Sequence, residues 1–405
     1  MDFDVIIVGA SSSGLYAAEL LAKAGKRVAV FERQPEVDPA RRTYITTAHL
    51  KQFIAEEDIT ILHRIQVMSL TSLGAIVDIP LNPPDWILDR NLLIKGLLAR
   101  AKARGAEVFT CHRFLRFEET NGYTQLVFEQ AKREIRATAG IVIGADGLYS
   151  QVARAAHIPH PPSVPIVQAE IELPPQWDPS VTRVWFDVHE TRFFYWLIPE
   201  SPERGVLGLV GEPASEPRRL LDRFLDKMGI QALRYQGARV ALHHPGLRPW
   251  GRVGLVPIYL VGDAAGQVKV TTVGGTVTGI WGARAAASAI IKGTSYAQEM
   301  RSLKRELDLH WYIRWLLERL DNSGYERLIQ YTTPAVRRFL SQRHRDQMMG
   351  SIWQLPFRAP RLLLLGLRLL LRAQRDRRAV PSYLPKPIGS RRTDVAQEHR
   401  PRRRA

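Results

Sequence analysis

Residues Asp2 to Arg33 read DFDVIIVGASSSGLYAAELLAKAGKRVAVFER, and no other stretch narrows so far what this chain can fold into. A short apolar strand, Val5 to Val8, enters the turn Gly9-Ala10-Ser11-Ser12-Ser13-Gly14. A helical stretch follows with Leu15, Ala18, Leu21 and Ala22 on one face, and a second strand, Arg27 to Phe31, ends at Glu32. This order is the βαβ unit that binds dinucleotides. Gly9 permits the tight turn, Gly14 lets the helix approach the strand, and the helix N-terminus aims free N–H groups at a pyrophosphate. Glu32 stands about 20 residues after the turn, where a carboxylate accepts hydrogen bonds from an adenosine ribose. Arg33 beside it is a further candidate contact. Ser11 replaces the middle glycine and sets a Cβ and a hydroxyl toward the phosphates. The bland alternative is an ordinary βαβ unit with a small-residue turn.

At 405 residues the chain has room for two or three domains with large cores. Its single cysteine, Cys111, excludes an internal disulfide and any multi-cysteine zinc or iron–sulfur site, and fits a reducing, cytoplasmic setting. The net charge of +17 predicts attraction to an anionic partner: nucleic acid, anionic lipid or an acidic substrate. The acidic start, with Asp2 and Asp4, is unlike a secretory signal, and no apolar run approaches the ~20 residues that span a bilayer.

Along the chain, Gln34 to Arg42 reads as a loop, and residues 43–84 mix short patterns until PLNPP (80–84) breaks them. Asp89-Arg90 opens a helix that Gly105 stops, and Ala106 to Phe109 is a strand. Strands at Phe114–Glu118 and Gln125–Glu129 flank the turn signal Asn121-Gly122. The strand Ala139–Ile143 runs into Gly144-Ala145-Asp146-Gly147. From Ile166 to about Leu242 the pattern alternates as in antiparallel strands, interrupted by a helix at Pro217–Lys227. The strand Ile258–Val261 then enters Gly262-Asp263-Ala264-Ala265-Gly266, a helix covers Trp281–Ile291, and helical patterns continue from Gln298.

Three glycine turns thus follow three apolar strands. The trio resembles the FAD-dependent oxidoreductases of the glutathione-reductase fold, in the branch of aromatic hydroxylases and geranylgeranyl reductases. GADGLYSQVAR is similar to that branch's second motif, which implies that Asp146, with Gly147, contacts ribose or pyrophosphate. YLVGDAAG is similar to the third, which implies that Asp263, after Gly262, binds the ribityl chain. Arg90 falls where the family places an arginine on the flavin side. The run KVTTVGG resembles the geranylgeranyl reductases, whereas hydroxylases show a histidine and a proline pair there. Gly274 and Gly275 then precede a helix whose N-terminal dipole would face the flavin pyrimidine. RFFYWLIP is similar to the family's aromatic substrate motif, with Phe194 for a tyrosine and Ile198 for a phenylalanine. The likeness covers roughly residues 1–330. It implies an α/β fold: an FAD-binding Rossmann-like domain, an inserted antiparallel sheet and C-terminal helices.

The implied segments are 1–165 and 246–297 for FAD, 166–245 for the substrate sheet, 298–380 for membrane-facing helices, and a disordered basic tail at 381–405. The family reduces carbon–carbon double bonds of prenyl chains, in a lipid, quinone or pigment. An unactivated alkene offers no carbonyl to polarise, so positioning in a dry pocket matters most. Phe194 and Trp196 share one strand face and are the candidate pocket wall, and sheet-core aromatics are the alternative. Lys269, Thr271 and Thr272 are read either as anchors for a headgroup or flavin phosphate or as a solvated loop. No catalytic proton donor is identified. The electron donor is NAD(P)H or reduced ferredoxin. The histidine pairs, His157 with His160 and His243 with His244, lack partners at metal-ligand spacing, so no metal is expected.

FRAPRLLLLGLRLLLRAQRDRR near the C-terminus is amphipathic, with Arg361, Arg368, Arg372 and Arg375 in one stripe. The segment 358–378 is therefore expected to lie at a bilayer interface, with Trp353 and Phe357 upstream suited to it; docking on the protein's own core is the alternative. Nucleic acid is not expected as a partner, since the RRRA end has no RNA-binding module with it. The runner-up function is an FAD-dependent monooxygenase of an aromatic or polycyclic substrate, and a third reading is a membrane-bound flavoprotein scaffold. The oligomeric state is left open.

Overall fold

The computed structural model describes residues 2–37, 43–120, 123–212, 215–343, 345–350 and 354–375. The chain begins with β1 (Phe3–Val8), α1 (Ser12–Lys23) and β2 (Val28–Phe31). Next come β3 (Thr43–Thr46), β4 (Ile61–Ser72), β5 (Ala75–Asp89) and α2 (Arg90–Ala103). Strands β6 (Glu107–Phe109), β7 (Arg113–Thr120), β8 (Tyr123–Gln130) and β9 (Arg133–Gly144) lead to the short α3 (Gln151–Ala155). Then follow β10 (Ser163–Glu172), β11 (Val181–Asp187), β12 (Thr191–Pro199), β13 (Arg204–Val210), α4 (Pro217–Met228) and β14 (Ala232–Ala241). β15 (Trp250–Val253) and β16 (Val256–Leu260) precede a 3-10 turn at Gly262–Ala265. The remainder is helical: α5 (Thr276–Lys292), α6 (Tyr296–Glu299), α7 (Arg301–Leu317), α8 (Asn322–Gln330), α9 (Pro334–Ser341), α10 (Leu355–Arg358) and α11 (Pro360–Arg375).

Among the described residues there are two eight-stranded sheets. The first runs β15-β16-β9-β1-β2-β6, with the β7–β8 hairpin joined to β9. Val5 to Val8 are all buried because both faces are covered. Helices α1, α2 and α5 pack on one face through Leu15, Leu97 and Ile280. Phe114, Phe128 and Val152 cover the other. A strand buried on both faces reads as a continuous apolar run rather than an alternating one. Its register decides the position of everything that follows: Val8 pairs with Phe31 on one side and Gly144 on the other, and Gly144 pairs with Leu260. The four strands therefore end at one level. Gly9, Glu32, Ala145 and Val261 all begin loops on the same carboxyl edge, where open α/β sheets bind ligands.

The second sheet runs β14-β10-β13-β12-β11-β4-β5-β3. Tyr195 and Leu197 face α4, against Leu221 and Leu225. Phe194 and Trp196 face the opposite way, toward Ile166, Val270 and Trp311. This sheet departs from the sequence reading. Residues 43–84 showed no clear pattern, yet β3, β4 and β5 are part of it, and β4 joins β11 in parallel, with Val67 opposite Val181. The sheet is thus built from two stretches of chain, 43–89 and 163–241, rather than from 166–245 alone. PLNPP does not break the strand. Val67 pairs with Pro80 and Ile65 with Asp85, so residues 81–84 bulge out opposite Gln66. Prolines in a bulge remove no ladder hydrogen bond, and the bulge hides the alternation that would have marked the strand.

The expected turn residues Asn121 and Gly122, Trp353 and the basic tail beyond Arg375 lie outside the described residues. Among the described residues, no helix is long and apolar enough to cross a membrane.

Candidate functional site

The three glycine turns meet because each supplies a surface that only a small residue allows. Gly9 has φ +102°, and a Cβ there would sit 2.5 Å from the carbonyl oxygen of Ala145. A Cβ on Gly14 would come 2.3 Å from Gly9 O and 2.9 Å from Ala145 Cβ, so the first and second turns touch directly. Ser13 Oγ locks the first to the third, since Cβ atoms added at Gly262 and Gly279 would lie 3.0 and 2.7 Å from it.

Ser11 is the N-cap of α1. Its φ and ψ are −72° and 168°, and its hydroxyl accepts a hydrogen bond from Gly14 N at 3.2 Å. The missing glycine is therefore replaced by a capping residue that satisfies an orphan donor of the helix. Glu32 lies across the turn. One carboxylate oxygen accepts from Ala10 N at 2.8 Å and the other from Gln34 N at 2.9 Å. Arg33 lines the cavity beside it.

Asp146 turns back onto its own helix. It accepts from the Ser150 hydroxyl at 2.6 Å and from Gln151 N at 2.7 Å and Val152 N at 3.2 Å, so it caps α3 while bordering the cavity. Burial pushes its pKa up, and these donors oppose the shift. Asp263 is different: its side chain is exposed at the cavity floor. Confinement by the surrounding protein raises its pKa, and the Arg90 guanidinium opposes this. Arg90 is the first residue of α2, held there by Asp89, whose carboxylate caps the helix at Asn91 N (2.8 Å) and Leu92 N (3.3 Å).

Together these groups line one cavity of about 1050 Å³ at the joint of the two sheets. Gly9, Ser11, Glu32 and Arg33 lie on its lining, as do Arg90, Asp146, Gly147, Gly262, Asp263 and Gly275. Gly14 supports the turn from behind, packed on Ile7 and Ala145. Gly275 is the N-cap of α5 and no side chain caps that helix, so its first N–H groups are left for whatever fills the cavity.

Gln267 escaped the sequence reading. It is buried, and its Oε1 accepts from Gly262 N at 2.7 Å while its Nε2 donates to Tyr296 Oη at 3.0 Å. Tyr296 Oη in turn donates to Leu260 O at 2.8 Å. This chain of bonds fixes the third turn from beneath. Glutamine next to a glycine turn carries no pattern of its own; only its burial reveals it.

The 268–275 loop corrects a second expectation. Lys269 neither reaches the cavity nor lies in solvent. It is buried and ion-paired with Asp346, which also accepts from the Thr47 hydroxyl. Burial alone would raise the Asp346 pKa, but Lys269 beside it holds it below the usual carboxylate range. Thr271 Oγ1 lies 2.6 Å from His310 Nδ1, and only Thr272 is exposed. Gly274 O accepts from Lys269 N at 3.0 Å, which folds the loop back on itself. From this loop Val268, Val273 and Gly275 face the cavity. Phe194 and Trp196 stand one layer behind. They meet edge to face at 6.2 Å in a cluster that Ile166 and Val273 also join, and these two line the cavity in their place. The reason is strand order: the cavity borders the second sheet at β14 and β10, and β12 lies two strands further in. His243, singled out with His244, bonds Asp308 Oδ1 at 2.7 Å, and His244 rests edge-on against Trp311.

The residues present fit FAD. The glycine turns clear a path at the strand ends, Glu32 stands at one extreme, the exposed Asp263 in the middle, and the uncapped α5 N-terminus at the other. The comparisons agree. A family described as FAD binding domain matches residues 2–299. The geranylgeranyl diphosphate reductase of Rhodobacter capsulatus is 28% identical over 300 residues, 71% of this chain and 75% of that protein. A digeranylgeranylglycerophospholipid reductase of Methanopyrus kandleri is 30% identical over 311 residues, 69% of this chain and 74% of that protein. A geranylgeranyl bacteriochlorophyll reductase-like structure from Thermoplasma acidophilum has a TM-score of 0.72 at 20% identity, covering 91% of this chain and 99% of that one. The p-nitrophenol 4-monooxygenase of Pseudomonas putida shares the fold, at a TM-score of 0.61 and 15% identity, covering 93% and 99%. The chain is an FAD-dependent oxidoreductase of the FAD-binding-domain family and belongs, within it, with the geranylgeranyl reductases.

Proposed function

We propose that this protein reduces carbon–carbon double bonds in the prenyl chains of a lipid, quinone or pigment. The observation that carries the reading is the 268–275 loop. It shows the cavity Val268 and Val273 and turns Lys269 and Thr271 into the protein. An isolated alkene has no group for a charged side chain to hold, and an apolar wall that excludes water suits it. The named relatives support the same class.

The chemistry that FAD would supply here, once reduced by NAD(P)H or ferredoxin, is a hydride for one alkene carbon, with a proton reaching the other. The chain's own residues position and exclude. Ser11, Glu32 and the α1 N-terminus hold the adenosine and phosphate side, and Asp263 with Arg90 the middle. The unpaired N–H groups at the α5 N-terminus favour negative charge on the ring that meets them. Val268 and Val273 keep water from the reacting carbons.

The test is anaerobic single turnover. The purified protein is reduced with dithionite and mixed with geranylgeranyl lipids. A mass gain of two hydrogens per bond, together with reoxidation of the flavin, supports the reading. Flavin that stays reduced until oxygen enters, and then hydroxylates an added aromatic, assigns the protein to the monooxygenases instead.

A further inference from the structure

We infer that α11 is a docking surface for an anionic lipid bilayer, and that the fold itself divides its leucines between two tasks. At about 100° per residue, the helix presents three arcs. Leu365 and Leu369 form the first, and they pack in one cluster with Leu320, just before α8, and Tyr325 within it, with Leu369 buried. This arc attaches the helix to the protein. Leu363, Leu364, Leu367, Leu370 and Leu371 form the second, spread over about 120° on the side facing away from the first. All five are exposed, Leu371 to 60% and Leu364 to 53%. Arg361 and Arg368 form the third, about 20° apart on one border of the exposed leucines, and both are exposed. Phe357, just before the helix, is 83% exposed.

A contiguous apolar strip of this kind is unusual on a soluble surface and marks an interaction site. The charge beside it selects the occupant. Two exposed arginines border the strip, and the sequence continues with Arg372, Arg375, Arg377, Arg378, Arg391, Arg392 and Arg402 to Arg404 in a chain of net charge +17. A second copy of this chain would bring the same positive charge to the contact. A bilayer with anionic headgroups brings the opposite charge, together with an apolar layer at the depth that leucines on a helix lying in the interface can reach. At 16 residues α11 is about 24 Å long, so it lies along the surface rather than across the ~30 Å hydrocarbon layer. The attached arc lies nearly opposite the exposed leucines, so the protein body stands above the membrane while the arginines sit level with the headgroups.

The inference is independent of the proposed reaction, because binding is read without turnover. The full-length protein with its flavin is floated with phosphatidylcholine vesicles, with and without phosphatidylglycerol. The wild type is expected to float with the anionic vesicles, more weakly as salt rises. The Leu364→Glu/Leu367→Glu double variant is expected to lose at least ten-fold in binding, and Arg361→Glu/Arg368→Glu to lose several-fold and to show a shallower salt dependence. All four side chains are exposed, so melting temperature and flavin content should stay near wild type. Hydrogen exchange on the unmodified protein adds a readout that needs no variant: anionic vesicles should protect the amides of residues 361–371. A wild type that does not float, leucine variants that float equally well, or a self-association that the leucine variants abolish would each overturn the inference. A protein that floats but leaves geranylgeranyl lipids unreduced would overturn the proposed reaction and leave the surface standing.

Discussion

Lys269 and Asp346 form a buried ion pair between the loop leading into α5 and the chain that follows α9. Around it, Thr47 donates to Asp346, Arg345 pairs with Asp85, and Glu306 accepts from Met348 N at 2.6 Å and Met349 N at 2.9 Å. His310 links Thr271 to Arg345 O. Residues 345–349 thus strap the wall of the FAD cavity from behind.

Breaking this pair from one side should be costly, because it strands a charge in the interior. Asp346→Ala is expected to destabilise the protein by about 3–5 kcal/mol. The double variant Lys269→Met/Asp346→Leu should recover most of that loss, since an apolar pair of similar size removes both charges. Urea unfolding of the wild type, Asp346→Ala and the double variant measures it. A double variant no more stable than Asp346→Ala would show that the pair does not act as a unit.

Gln267 should matter to the cofactor through the turn it holds. Gln267→Ala leaves Gly262 N without its acceptor and removes the donor to Tyr296 Oη, which keeps its bond to Leu260 O, and is expected to cost about 1–3 kcal/mol. The same change should weaken FAD binding, measured by flavin fluorescence during titration of the apoprotein. Unchanged FAD affinity would separate the buried network from the site.

Asp263 should trade stability against binding. Its carboxylate is solvent-exposed at the cavity floor, yet the protein around it raises its pKa against the pull of Arg90, so at neutral pH the empty fold bears a small, solvent-screened cost of keeping it ionised. Asp263→Asn is expected to raise the melting temperature of the apoprotein and to weaken FAD at least ten-fold, the loss of one hydrogen bond to a charged acceptor being worth about 1.5–3 kcal/mol. A variant that loses stability without FAD present would contradict the first half.

His243 sets a pH dependence. Burial lowers its pKa below the ordinary histidine value, against the pull of Asp308. The folded state keeps the ring neutral while the unfolded chain protonates it, so this contribution is complete above about pH 6.5 and is lost as pH falls below it. Denaturation midpoints at about pH 7.5 and 5.5 should therefore differ less in His243→Asn than in the wild type. An equal difference in both proteins would place the acid sensitivity elsewhere.

What the sequence determined by itself was everything governed by local periodicity and by glycine. The apolar runs at Val5–Val8, Ala139–Ile143 and Ile258–Val261, each ending in a glycine turn, identify the cofactor domain, because a strand buried on both faces needs no long-range information to be recognised. The leucine and arginine pattern of α11 was equally open to reading. Tertiary structure decided the rest. It placed 43–89 in the second sheet, since a bulge at 81–84 scrambles the alternation that would have declared it. It set Phe194 and Trp196 behind Ile166 and Val273, because depth within a sheet is a property of neighbouring strands. It turned Lys269 inward to a partner 77 positions away (346 − 269), and it chose which leucines of α11 dock and which face outward. Pairing, depth and burial are made by contacts between distant residues, and no local pattern records them.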